Sequence, residues 1–223
     1  MAVASIAAFD LDGTLLRGQS GTLIVSYLMR RRLIPVRTAL ACAWWGVRYK
    51  LHLPLRQDEV RERIFCRLNE LTPDQIHEVM ADFHREVMVP RYRPAGLAEL
   101  RRREEEGAHV ALISATFDLV AQQAAAYLDC DVALATVMER DAAGHYTGQV
   151  DGEVTEGAEK VARIVNWAND TFGADGWRMT CAYGDHYSDL PMLELADEAF
   201  AVDPGPTLKR EAERRGWRVL SWK

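Results

Sequence analysis

Cysteine is scarce and scattered. Only Cys42, Cys66, Cys130 and Cys181 occur in 223 residues, with no CxxC pair and no Cys/His cluster. That spacing gives no zinc motif and no disulfide framework, so buried, reduced thiols are expected. Long apolar runs are missing too: none approaches the roughly 20 residues of a membrane-spanning helix. Positive charge is not in excess. The net charge of -6 argues against a nucleic-acid binder, and no nucleic-acid partner is expected. No basic, cleavable segment precedes the first apolar run, so no secretory signal and a cytoplasmic location are expected. No internal repeat or low-complexity tract divides the chain.

What is present is organised around its first apolar run. Ile6 to Phe9 ends abruptly in Asp10-Leu11-Asp12-Gly13-Thr14. A buried parallel strand that delivers chemistry at its carboxyl end has this form. Asp10 and Asp12 would point to opposite faces of a continuing strand, so both serve one site only if the chain turns between them. Gly13 permits that turn. Two carboxylates this close repel unless a cation lies between them or one takes a proton.

Residues 17–90 change character. Apolar spacing of three and four residues predicts helices over 22–32, 36–51, 57–68 and 73–87, with Thr72-Pro73 as a start signal. No strand pattern occurs there. From residue 91 helices and strands alternate. Helices are expected over 97–106, 118–128, 159–171, 190–195 and 206–215. Strands are expected over 109–113, 132–135, 179–183, 200–202 and 217–220, with a hairpin over 137–150. The fold class is therefore α/β: a Rossmann-like, mostly parallel sheet with helices on both faces and an inserted all-helical segment. The expected division is a core of 1–16 and 91–223 with a helical domain of 17–90.

Three strands end in polar groups: Asp10 and Asp12, Ser114, and Gly184-Asp185. In an open α/β sheet these ends share one edge, where ligands bind. Asp189, four residues after Asp185, and Lys160, near a helix start, join them. Carboxylates without His or Cys partners make a hard-oxygen site suited to Mg2+. Ser114 and Lys160 supply the hydroxyl donor and positive charge that phosphate oxygens require. One aspartate of the first pair could attack phosphorus and the other could move the proton.

These segments together resemble the haloacid dehalogenase (HAD) superfamily of phosphatases over the whole chain. The resemblance is carried by Asp10-Leu11-Asp12-Gly13-Thr14, Ala111-Leu112-Ile113-Ser114, Gly157-Ala158-Glu159-Lys160 and Gly184-Asp185-His186-Tyr187-Ser188-Asp189. It implies Asp10 as nucleophile and Asp12 as general acid/base. It implies Ser114 and Lys160 as phosphate ligands. Asp10, the Asp12 backbone carbonyl and Asp185 would ligate Mg2+, with Asp189 supporting the metal.

The helical insert after the first segment resembles the cap of the phosphoserine-phosphatase-like branch (subfamily IB). Residues 146–153 resemble that branch's hairpin, and Arg61 falls where its cap carries an arginine for the substrate carboxylate. Two positions depart from the branch: Gln19 stands in place of a glutamate, and Ala115-Thr116-Phe117 in place of Gly-Gly-Phe. The expected substrate is a small phosphomonoester, phosphoserine- or histidinol-phosphate-like. The alternatives are a lipid phosphate approached by a membrane-touching cap, or a phosphotransferase of the same fold. Residues 17–67 hold 11 Lys and Arg against 3 Asp and Glu, around an apolar stretch with Trp44-Trp45. That stretch reads as a subdomain core with a solvated basic face, as a funnel for anionic substrates, or as an interfacial helix. Oligomeric state is not legible. His186, inside the fourth segment, invites an acid/base role that the aspartates already fill.

Overall fold

The computed structural model describes residues 3–38, 40, 41, 44, 64, 65 and 67–223. Strand β1 (Ala4–Asp10) lies at the centre of a six-stranded, wholly parallel sheet of order β3-β2-β1-β6-β7-β8. The others are β2 (His109–Phe117), β3 (Val132–Thr136), β6 (Trp177–Gly184), β7 (Glu198–Val202) and β8 (Arg218–Leu220). A separate antiparallel pair, β4 (Met138–Arg140) and β5 (Tyr146–Val150), forms the expected hairpin.

Alternation along β1 builds two cores. Ala7 and Phe9 pack into one buried cluster and Ile6 and Ala8 into another. A strand covered on both faces must be apolar on both, which is why β1 shows no polar alternation before Asp10. Phe9, Tyr183 and Phe200 stack across three neighbouring strands, with ring centroids 4.3 and 4.6 Å apart. Each such pair contributes about 1 kcal/mol beyond its buried area and fixes the strands' relative register.

Among the described residues the helices are α1 (Ser20–Arg30), α2 (Pro73–Phe83), α3 (Pro94–Glu105), α4 (Asp118–Leu128), α5 (Ala158–Phe172), α6 (Leu190–Leu195) and α7 (Pro206–Arg215). Both α1 and α2 fall between β1 and β2. Thr72 caps α2 reciprocally with Gln75: Gln75 N donates to Thr72 Oγ1 at 3.3 Å, and Thr72 N to Gln75 Oε1 at 2.9 Å. Ile24, Tyr27, Leu28, Met80 and Phe83 bury into the same cluster as Leu11, Leu15 and Val120. The insert is thus welded by apolar contact to one face of the sheet.

The sequence expectation is corrected at two boundaries and in one burial. The helix expected over 73–87 stops being α at Phe83 and continues as a π-turn (His84–Met88) and a 3-10 turn (Val89–Arg91). Apolar spacing does not register that change of winding. Strand β2 does not end at Ser114 but runs to Phe117, with a register shift against β3 between those residues. Thr136 Oγ1 donates to the Ala115 carbonyl at 3.0 Å and carries the pairing past the irregularity. Trp44, weighed as a core residue, is 61% exposed, as are Val36 (62%) and Leu40 (65%). Most of the helices expected at 36–51 and 57–68 lies outside the described residues, as do Trp45, Cys42 and Cys66. Cys130 and Cys181 are free thiols.

The chain leaves for the insert and returns from it at one place. Arg17 N donates to the Arg91 carbonyl and Arg93 N to the Leu15 carbonyl, both at 2.9 Å, and Leu16 bridges Tyr92. Arg93 also donates to Asp203 Oδ2 at 2.7 Å and to the Gly13 carbonyl at 3.1 Å. A buried ion pair between the return strand and the loop after β7 thereby pins the turn that follows Asp10.

Candidate active site

Strand order reverses direction at β1, with β2 on one side and β6 on the other. Ligands of open α/β sheets bind in the crevice outside the carboxyl ends at such a point. Asp10, Ser114 and Gly184-Asp185 belong to the three strands that meet there.

Lys160, near the start of α5, is buried with 2% exposure. Its Nζ donates to Asp10 Oδ1 and to Asp189 Oδ1, each at 2.6 Å. Asp189 is fixed from its other side, where Oδ2 accepts from Asp185 N at 3.2 Å and His186 N at 3.0 Å. One carboxylate oxygen each from Asp10, Asp185 and Asp189 lies within 4.8 Å of the others. Two glycines make the close approach possible. At Gly13, whose φ is +89°, a Cβ would sit 2.1 Å from Asp185 Oδ2; at Gly184 a Cβ would sit 2.7 Å from that of Asp189.

The charge balance of this cluster is unfavourable as it stands. Three carboxylates face a single ammonium. Burial raises the Asp10 pKa well above the ordinary carboxylate range, and Asp189 and Asp185 add to the rise, which Lys160 only partly offsets. Burial, then repulsion from Asp189, pushes Asp185 up to about 7. Burial alone would lower the Lys160 pKa, but Asp10 and Asp189 outweigh it and leave it raised. Asp10 Oδ2 is buried with no hydrogen-bond partner. An orphaned carboxylate oxygen inside an oxygen-only, electron-rich cluster is what a hard divalent cation requires, and these residues fit one.

Asp12 is not part of this cluster. Ser20 N donates to its Oδ1 at 2.8 Å and Ser20 Oγ to its Oδ2 at 2.7 Å. Burial raises the Asp12 pKa to about 6, with the Ser20 bonds holding it from rising further. Ser114 is buried, and its Oγ accepts from Thr116 N at 3.1 Å. With an acceptor site used, its hydroxyl proton stays available for an incoming oxygen. His186 is exposed and serves its own turn: its Nδ1 lies 2.9 Å from Ser188 Oγ. Arg61 lies outside the described residues.

The structure therefore brings together Asp10, Lys160, Asp185 and Asp189, with Asp12 just past the end of β1 and Ser114 within the neighbouring β2. The sequence reading overlooked Ser20 and Thr116. A hydroxyl residue opening the first helix after the Asp12 turn was the available signal for Ser20.

Metal-free protein should lose stability as pH rises. Asp12 and Asp185 hold protons in the folded state above the pH at which the unfolded chain releases them. Stability from these groups is complete below about pH 4 and lost as pH rises through about 6 to 7. A divalent cation replaces the lost protons. The gap in Tm between chelator-treated and Mg2+-loaded protein is expected to widen from about pH 5 to about pH 7.5; thermal unfolding at both values measures it.

The sequence profile of haloacid dehalogenase-like hydrolases matches residues 7–194. A histidinol-phosphatase of Neisseria meningitidis is 26% identical over 220 residues, covering 98% of this chain and 99% of its own. A phosphoserine phosphatase of Mycobacterium tuberculosis is 27% identical, covering 99% of this chain and 72% of its own. Among solved structures, a Bordetella pertussis protein of unknown function superposes over 100% of both chains with a TM-score of 0.88 and 26% identity. A probable phosphoserine phosphatase from Vibrio cholerae, at 18% identity and covering 99% of this chain and 61% of its own, shares the fold with a TM-score of 0.67. Matched across most of its length, the chain is an enzyme of the haloacid dehalogenase-like hydrolase family.

Proposed function

We propose that this enzyme is a phosphatase that hydrolyses a small phosphomonoester through a phospho-Asp10 intermediate. The observation that carries the reading is the buried, unpartnered Asp10 Oδ2 beside the Asp185 and Asp189 carboxylates. Asp10 attacks phosphorus as the ester oxygen departs, and Asp12 gives that oxygen its proton. Asp12, now ionised, takes a proton from the water that cleaves the acyl phosphate. The Ser114 hydroxyl and Lys160 hold the phosphoryl oxygens. Asp10, Asp185 and the Asp12 carbonyl are the proposed Mg2+ ligands, with Asp189 supporting. When bound, the ion neutralises the repulsion between carboxylate and phosphate.

We assign catalysis to residues 1–16 and 91–223 and substrate choice to the cap, 17–90, including Arg61. The names of the Neisseria and Mycobacterium relatives favour phosphorylated amino-acid-like metabolites. Gln19, exposed and making no side-chain cap bond to α1, leaves the site without the acidic reader of an amino group at that position. Phosphate release from phosphoserine, histidinol phosphate, sugar phosphates and nucleoside monophosphates, with and without Mg2+, tests the reading. Metal-dependent turnover of one class is expected. Failure to release phosphate from any of them overturns it, and phosphoryl product formed only with an added alcohol would make the enzyme a transferase.

Exposed Val36, Leu40 and Trp44, spaced four residues apart near Arg30, Arg32 and Arg37, favour a second reading in which the cap touches anionic lipid and the substrate is a lipid phosphate. Sedimentation with anionic vesicles, and turnover of lysophosphatidate above the soluble esters, is its expected signature.

A further inference from the structure

Asp12 can serve as an acid only if its carboxyl faces the departing oxygen, and nothing in the Asp10–Lys160–Asp189 cluster holds it there. Its side-chain partner in the structure is Ser20, which is wholly buried and opens α1. Ser20 Oγ lies 2.7 Å from Asp12 Oδ2 and 2.7 Å from Thr116 Oγ1. A serine hydroxyl has one proton. With that proton directed to the carboxylate, the second contact is made by the Thr116 hydroxyl donating to Ser20. Thr116 is buried too, and its backbone N–H donates to Ser114 Oγ. An unbroken chain of hydrogen bonds thus runs from Asp12 through Ser20 and Thr116 to Ser114.

We propose that Ser20 and Thr116 are positioning residues for the acid/base Asp12, orienting its carboxyl towards the leaving oxygen and tying it to the last residues of β2, which carry Ser114. The inference rests on the phosphatase reading above. In the step concerned, the Asp10–phosphorus bond forms, the phosphorus–ester oxygen bond breaks, and the Asp12 proton passes to that oxygen, giving free alcohol and an Asp12 carboxylate. A poor leaving group needs that proton early; a good one departs without it. Removing the Ser20 hydroxyl leaves the Ser20 N–H bond to Asp12 Oδ1, so the carboxyl stays near but loses its direction.

The test compares kcat/KM for an alkyl phosphate, phenyl phosphate and p-nitrophenyl phosphate in wild type, Ser20→Ala, Thr116→Val and Thr116→Ser. This ratio covers only steps up to alcohol release. Ser20→Ala is expected to slow the alkyl ester by about 10²-fold, the low end of what a positioned acid contributes, and p-nitrophenyl phosphate by only a few-fold. Thr116→Val should show the same trend more weakly, and Thr116→Ser, which keeps the hydroxyl, should match wild type. Equal losses on all three esters, or none, overturn the inference. Should Ser20→Ala not fold, the Val and Ser variants at position 116 decide by the same criterion. A wild type inactive on every ester instead brings down the phosphatase reading itself.

Discussion

Asp10→Asn should abolish turnover while leaving the protein folded. Loss of a nucleophile that forms a covalent intermediate costs on the order of 10⁵-fold in kcat. Radiolabelled phosphoenzyme, recovered by acid quench from wild type, should be absent from the variant. Folding should respond in the opposite sense to activity. Asp10 carries a carboxylate whose charge is disfavoured by burial and by its acidic neighbours. An amide relieves that repulsion, and Lys160 keeps its bond to Asp189. The metal-free variant is therefore expected to unfold no earlier than wild type, and the rise in Tm on adding Mg2+ should shrink. Residual turnover within tenfold of wild type would remove Asp10 from the nucleophile's role.

Lys160→Met should cost stability as well as the phosphoryl contact proposed for it. The lysine is the one cation that contacts Asp10 and Asp189 among the described residues, and its side chain is 3% exposed. Methionine keeps much of its length and loses its charge. Breaking a buried ion pair from one side costs about 3–5 kcal/mol, because the remaining charges stay uncompensated. Part of that cost is avoided here by proton uptake at Asp10 and Asp185. Chelator-treated Lys160→Met should consequently unfold far below wild type at neutral pH and recover on acidification. Mg2+ should raise its Tm more than it raises that of wild type. Urea titrations at two pH values, with chelator and with Mg2+, measure each part. Equal stabilities of variant and wild type in chelator would show that Lys160 does not balance the cluster.

The site residues that were legible in sequence share one property. Asp10, Ser114 and Asp185 are polar residues at or near the ends of apolar strands, and parallel topology alone brings such ends to one edge. Lys160 and Asp189 follow from position near a helix start and from four-residue spacing. Ser20 was not legible in that way. Its contact with Asp12 depends on how the chain folds back between residues 12 and 20, through a turn that no periodicity describes. Thr116 was hidden by the expectation that β2 stops at Ser114; the irregular strand continues and turns its hydroxyl towards Ser20. The winding change at His84 was hidden because Phe83 and Val87, and His84 and Met88, are buried at the four-residue spacing of an α-helix.

The paired crossing of residues 15–17 with 91–93 has a consequence for how such an enzyme can diversify. The chain departs and returns across a few hydrogen bonds, so the ends of the intervening segment are held together whatever its length. Lengthening or exchanging the intervening helices adds little closure entropy, since the ends are already held together. Among the described residues, a replacement would have to match the apolar residues of α1 and α2 that bury with Leu11, Leu15 and Val120, the Phe65 ring against Phe117 and Tyr146, and the Asn69 bonds to the Tyr146 backbone. On the proposed assignment of substrate choice to the cap, new specificities can be grafted across this joint while the carboxylate cluster stays unchanged.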